Sequence, residues 1–277
     1  MPHGLPRDRA SIMGIVNVTP DSFSDGGEHA SAKEAIAHGL RLAEAGADIL
    51  DIGGESVRPG AEPVPPAVEA ARVVPVIEGL VRALGSAASR PLLSIDTRHA
   101  AVMEAALDAG AAMINDVTGL SGDPRSLAVA AGADVPVVLM HMTGEPKTMN
   151  ENPRYEDVAA AVFDDLEARI EACVAAGVDR GRLIVDPGIG FAKLTSHNRE
   201  ILRSLTLFHG LGCPILVGLS RKGLTGADEA RTPRGRLPGS LAAAWHALSQ
   251  GVRILRVHDV AETRQVVELW AALTARG

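Results

Sequence analysis

Apolar and polar positions alternate between two textures along the chain. Stretches rich in Ala and Leu end in Ala-Gly or a lone Gly and give way to short β-branched runs, as in LAEAGADILDIG, LDAGAAMINDV, VAAGADVPVVLMH, VAAGVDRGRLIVDPG and LSQGVRILRVHDV. Gly just past a helix end tolerates the left-handed conformation that stops a helix. Unbroken apolar runs predict strands covered on both faces, as in a parallel sheet. Eight such runs occur, at Ile12–Val18, Asp48–Gly53, Leu92–Asp96, Ala112–Val117, Pro136–His141, Leu183–Asp186, Ile215–Leu219 and Arg253–Val257. Helical segments fall between them, among them Ala32–Ala45, Ala67–Leu84, Val102–Ala109, Val158–Ala176, Arg199–Leu205 and Gly239–Leu248. The interval between the third and fourth runs leaves room only for a brief helix.

Strand and helix in alternation mean a parallel sheet with right-handed crossovers. Eight units in 277 residues fit a closed (β/α)₈ barrel (a TIM barrel, α/β class) better than an open doubly wound sheet, the alternative fold. No linker or charge block divides the chain, so residues 1–277 read as one domain.

Composition narrows the classes further. With 46% hydrophobic and 22% charged residues, the chain is ordinary for a globular protein that builds a core without staples. A net charge of −7 argues against a general nucleic-acid binder but leaves room for an anionic small molecule at a locally basic site. Cys173 and Cys213 have neither CxxC nor metal-like spacing and are expected as core thiols. The segment MPHGLPRDRAS has no apolar signal core, and no apolar run nears the roughly 18 residues of a membrane span. A cytoplasmic location is therefore expected. Only four of the 27 basic residues are Lys: Lys33, Lys147, Lys193 and Lys222.

Barrel enzymes carry their chemistry at the C-terminal ends of the strands. Here those ends offer Asn17; Asp51 with Gly53 and Gly54; Asp96; Asn115 and Asp116; His141; Asp186; Ser220, Arg221 and Lys222; and Arg256, His258 and Asp259. One Asp at a strand end is often only a turn former. Eight polar ends converging on one mouth need a ligand, water or one another. Asp96, Asn115 and Asp186 form an acceptor set with one amide, suited to a flat heterocycle bearing NH and NH₂ donors beside a carbonyl. Arg58, Lys222, Arg256 and His258 form a cationic set suited to a diphosphate, with Mg²⁺ as its companion ion. Arg221 reads more simply as a solvated neighbour of the site or as the ion-pair partner of a nearby acid. Glycine- and proline-rich loops at 17–27, 53–60 and 141–149 leave the same face and are candidate lids.

The segments MGIVNVTPDSFSDGG, DIGGESVRPGA, SIDT, INDV, MHMTGEPKTM, DPGIGFAK, GLSRK and RVHDV together resemble the dihydropteroate synthase family, in its order, from about Met13 to Val260. The resemblance implies a transferase that joins a dihydropterin methyl diphosphate to 4-aminobenzoate in folate synthesis, with Asp96, Lys222 and Arg256 carrying the chemistry. It implies that Asp96, Asn115, Met140, Asp186, Phe191, Lys222 and Arg256 surround the pterin ring. Asn17, Arg58, Arg256 and His258 would hold the diphosphate, with Mg²⁺ reaching Asn17. Phe23, Val57, Arg58, Pro59 and Gly223 would lie on the 4-aminobenzoate side, the side that sulfonamides mimic. It also implies a homodimer, with no nucleic-acid or membrane partner. The chain departs from the family pattern at Val57, usually Thr or Ser, at Gly223, often Ser, and at Leu194, commonly polar. Those departures touch the arylamine side and leave the pterin and diphosphate sets intact. They keep open a non-catalytic pterin-binding paralogue. A methyltetrahydrofolate-type methyltransferase domain would share the Asp–Asn–Asp set but has no use for the diphosphate cations.

Overall fold

The computed structural model of the chain describes residues 1–2, 4–19, 27–56, 61–86, 90–144, 149, 153–223 and 232–274. Within them, eight strands alternate with eight α-helices: β1 (Ser11–Asn17), α1 (Gly27–Glu44), β2 (Ile49–Gly53), α2 (Pro66–Leu84), β3 (Leu92–Asp96), α3 (Ala100–Asp108), β4 (Met113–Asp116), α4 (Ser126–Gly132), β5 (Val137–Met140), α5 (Val158–Ala175), β6 (Leu183–Asp186), α6 (Thr195–Arg203), β7 (Leu216–Gly218), α7 (Leu237–Ser249), β8 (Ile254–Val257) and α8 (Val260–Thr274). All strand pairs are parallel, in the order β6-β5-β4-β3-β2-β1-β8-β7. A bridge between Val185 and Ile215 brings β6 onto β7, and the Val185 N–H donates to the Pro214 carbonyl at 3.0 Å. The sheet is the (β/α)₈ barrel that the alternation predicts.

Helix ends follow the local chemistry with two differences. Glycines that stop helices have the expected positive φ at Gly46 (95°) and Gly177 (96°). Gly132 instead stays within the last turn of α4, and Ala133 leaves it in an extended conformation. The sixth helix begins at Thr195 rather than Arg199, and a 3₁₀ segment, Leu205–Leu211, follows it. Its N-cap, Leu194, has no side-chain acceptor. The ring nitrogen Nδ1 of His197 takes the Leu194 N–H instead, at 3.2 Å. The brief helix expected between β3 and β4 is α3, of nine residues. Both cysteines are free and buried, and no helix among the described residues is long and apolar enough to cross a membrane.

Register places the site. Side chains of a strand alternate between its two faces. Met13 and Ile49 are paired across β1 and β2. They join Met113, Val138, Ile184, Leu216 and Ile254 in one fully buried cluster inside the barrel, with Leu5 packed beneath. The intervening residues, among them Val16, Ile52, Ile95, Ile114, Leu139, Val185, Val217 and Leu255, belong to the larger cluster between barrel and helices. Two positions beyond the inner cluster, the same alternation therefore turns Asp51, Asn115, Met140, Asp186, Gly218 and Arg256 inward, one layer nearer the mouth.

Leu5 fills the floor of the barrel and lies far from the mouth along the strands. Leu5→Ala should cost about 2–5 kcal/mol of stability, as buried Leu truncations do, while kcat/KM per folded molecule stays at the wild-type value. Urea unfolding beside steady-state assays would test it; a loss of kcat/KM with unchanged stability would contradict the separation of floor from mouth.

Candidate active site

Arg256, carried inward by β8, spans the mouth of the barrel. Its Nε donates to Asp51 Oδ2 at 2.7 Å and its Nη2 donates to Asp96 Oδ2 at 2.5 Å. Asn115 Nδ2 donates to the same Asp51 oxygen at 3.0 Å. Asp51 is fully buried, and its other oxygen has no hydrogen-bond partner among the described residues. A buried carboxylate is tolerable only when paired. Asp51 thus works as an anchor, fixing the guanidinium on one side and the Asn115 amide on the other.

Burial is the main influence on the Asp96 carboxyl and pushes it up to about 7; Arg256 opposes that, while Asp51 and Asp116 add to it. Burial also works against the charge of Arg256, but Asp51 and Asp96 outweigh it and hold the guanidinium above its ordinary range. Asp186 is raised by burial, against the hydrogen bond from the Gly188 N–H at 2.8 Å and the nearby Lys222. Burial lowers Lys222 to about 8, with Asp186 opposing and Arg256 reinforcing. Lys222 Nζ donates to the Ile189 carbonyl and stands 4.7 Å from the centre of the Phe191 ring, a cation–π contact. The mouth therefore holds two carboxyls and one amine that change charge near neutrality or are pushed toward it, as functional sites often do.

The remaining expected residues fall as follows. Met140 is buried beside Asp186, its partner in the β5–β6 register. Asn17 ends β1 opposite Gly53, which in turn pairs with Asp96. At the end of β8 the His258 N–H donates to Ser220 Oγ at 3.2 Å, and His258 Nδ1 lies 3.1 Å from the same oxygen. Gly223 is exposed one residue past Lys222. Phe23, Val57, Arg58 and Pro59 lie outside the described residues. Of the two readings of Arg221, the ion pair holds: it is bound in two-pronged fashion to Asp259 at 2.6 and 3.0 Å. Asp116 faces away from the mouth as a turn former, accepting from the Thr118 N–H and hydroxyl, both at 2.7 Å.

Among the described residues, Glu55, Glu69 and His99 could converge on a cation. Glu55 is already paired with Arg98 at 2.8 Å and accepts the Val64 N–H. Burial raises Glu69 to about 8, which leaves it mostly neutral at pH 7. Arg98 and a proton thus supply the compensation that a metal ion would otherwise provide.

With this geometry in place, comparisons with known proteins decide the family. A family model described as pterin binding enzyme matches residues 13–258. The dihydropteroate synthase of Escherichia coli K12 is 45% identical over 258 residues, covering 93% of this chain and 89% of that protein. The chain belongs to the dihydropteroate synthase family. It is thereby a transferase of the pterin-binding barrel group. The solved Xanthomonas albilineans dihydropteroate synthase with 4-aminobenzoic acid is 50% identical and superposes with a TM-score of 0.89, covering 98% of this chain and 95% of that one. The same enzyme in complex with 7,8-dihydropteroate gives 48% identity and a TM-score of 0.87, with 99% and 97% covered.

Asp51 stands among the polar strand ends of the sequence but belongs to neither the acceptor set nor the cationic set expected there. The available signal was positional: Asp51 lies two residues beyond inward-facing Ile49 and shares its face. Asp51→Asn keeps the shape but removes the charge that holds Arg256. It should weaken pterin binding by about 1.5–3 kcal/mol, the range for hydrogen bonds to charged groups, with folding retained. Calorimetric titration with a pterin would show this; affinity equal to wild type would rule out the anchoring role.

Proposed function

We propose that the chain condenses (7,8-dihydropterin-6-yl)methyl diphosphate with 4-aminobenzoate, giving 7,8-dihydropteroate and diphosphate for folate biosynthesis. The observation that carries this reading is the Arg256 guanidinium set between Asp51 and Asp96, with Asn115 on the same anchor. Family membership supplies the substrates, and the chemistry of the mouth fits them. Asp96, Asn115 and Asp186 meet the donors of the pterin ring, Met140 and Phe191 pack near it, Lys222 hydrogen-bonds it and Arg256 covers its face. Asn17, Arg58, Arg256 and His258 hold the diphosphate. Phe23, Val57, Arg58, Pro59 and Gly223 form the arylamine side, where Val57 offers no hydroxyl. The chain acts as one domain, in the cytoplasm, as a homodimer.

The reaction is a dissociative substitution. The bond between the methylene carbon and the diphosphate oxygen breaks first, and its electron pair leaves with the diphosphate. The methylene cation left behind is conjugated with the ring, and ionised Asp96 opposes its charge. The arylamine nitrogen then attacks the methylene carbon and loses a proton. No protein nucleophile is needed. Mg²⁺ fits through Asn17: one neutral amide oxygen suits an ion that takes most of its ligands from phosphate and water. Bound there, it would neutralise charge on the leaving diphosphate.

A coupled assay with both substrates tests the reading: dihydropteroate and diphosphate should form in equal amounts, and their absence would leave only a pterin-binding protein. The charges add a pH signature. Asp96 must be ionised and stays protonated up to about 7, so kcat/KM should rise with pH through that range. Lys222 loses its charge above about 8, so kcat/KM should fall again on the alkaline side. Asp96→Asn should abolish the acid limb and lower kcat by about 10²–10³. Near-normal turnover in that variant, under conditions where chemistry limits the rate, would remove Asp96 from the mechanism.

A further inference from the structure

Among the described residues, Lys193 is the one buried lysine that the proposed reaction does not use. It is 5% exposed. Its ammonium lies 2.8 Å from His141 Nδ1 and donates to the carbonyls of Gly188 at 3.1 Å and Phe191 at 3.0 Å. A longer contact, 3.4 Å, reaches the His141 carbonyl. His141 follows β5, and residues 187–193 follow β6, so a single ammonium ties two neighbouring strand ends together. Burial, then the adjacent Lys193, keeps His141 far below its ordinary range, near 3. The ring is therefore neutral and can accept a hydrogen bond from Lys193. Burial lowers that amine to about 7 against the nearby Asp186, and it donates whether or not it carries the extra proton.

The turn that Lys193 grips runs through the left-handed region, which two glycines adopt freely and Ala192 adopts at a cost. Gly188 and Gly190 have φ of 68° and 85°, and Ala192, an L-residue, has 49°. A Cβ at Gly188 would meet the His141 carbonyl oxygen at 2.0 Å, so the turn presses against β5 with no room for a side chain. Such conformations persist only where surrounding contacts over-determine them. Lys193 supplies part of that support. Asn198 supplies more, its Oδ1 accepting the Gly190 N–H at 2.7 Å and its Nδ2 donating to the Leu194 carbonyl at 3.0 Å.

What the turn presents is the pterin end of the mouth. The Gly188 N–H holds Asp186, the Ile189 carbonyl receives Lys222, and the Phe191 ring lies against that same ammonium. We propose that Lys193 is a positioning residue for pterin recognition: by clamping the Gly188 and Phe191 carbonyls to His141 it sets Asp186, Lys222 and Phe191 in register. This rests on the reading of the mouth as a pterin site. Lys193 itself touches no substrate.

The test is Lys193→Met, which keeps the apolar stem and removes the donors. KM for the pterin diphosphate should rise by about 10- to 100-fold, the scale of a misplaced first contact, while KM for 4-aminobenzoate stays within about twofold. Calorimetry with a pterin lacking the diphosphate should show the same loss. A general packing defect would move both KM values together, and that result, or an unchanged pterin KM, overturns the proposal. If Lys193→Met does not fold, Asn198→Ala decides, since it releases the same turn at Gly190: the pterin KM should rise selectively, and no rise overturns the proposal. If the wild type binds a pterin but shows no turnover, the proposed reaction fails alone, and the pterin titration of the two variants still judges Lys193.

Discussion

The mouth of the barrel depends on one guanidinium held between two carboxylates. Asp51 and Asp96 come from adjacent strands, the first fully buried and the second with its side chain 10% exposed. Two like charges at such depth repel and lose solvation, so one would take up a proton without a cation between them. Arg256 is that cation, and it arrives from the strand on the far side of β1. Asn115 is oriented through Asp51 in turn. In the proposed reaction the diphosphate competes for the same guanidinium. Arg256 must therefore stay close enough to keep Asp96 ionised while it also faces phosphate, because withdrawing it would raise the Asp96 carboxyl further.

Around this centre, different elements do different work. The strands supply a rigid frame whose inner layers are apolar below and polar above. The turn after β6 is shaped by contacts that its own conformational preferences would not produce, with Lys193 tying it to His141 at the end of β5 and Asn198 tying it to the start of α6. Precise sites commonly rest on such supporting groups behind the residues that touch substrate. The Glu55–Arg98 pair plays a comparable part between the ends of β2 and β3, where Glu55 also receives the Val64 N–H and so joins the two feet of the intervening segment.

Much of the barrel was legible because buried parallel strands announce themselves as unbroken apolar runs, and the eight expected strands match the observed ones closely. Boundaries slipped where a local signal was missing: α6 starts behind Leu194, which has no capping oxygen to announce it, and His197 there accepts the Leu194 N–H, while Gly132 sits inside a helix it was expected to end. In the site, Asp96, Asn115, Asp186, Lys222 and Arg256 stood out as ionisable or amide groups at strand ends. Asp51 was placed at a strand end but joined to neither chemical set, because a single Asp there reads as a turn former until its face is known. The clamp between Lys193 and His141 was beyond reach for another reason: the partners are 52 positions apart, and nothing local to either residue names the other.

The two-residue rhythm that places Asp51 two beyond Ile49, Asn115 two beyond Met113 and Arg256 two beyond Ile254 also governs how such a gene can change. Losing or gaining one codon within β2, β4 or β8 would swap the faces of everything downstream in that strand, turning carboxylate and guanidinium into the greasy shell beneath the helices and exposing isoleucine to the substrate. Length variation is therefore channelled into the connecting loops, and the strands can diverge only letter by letter.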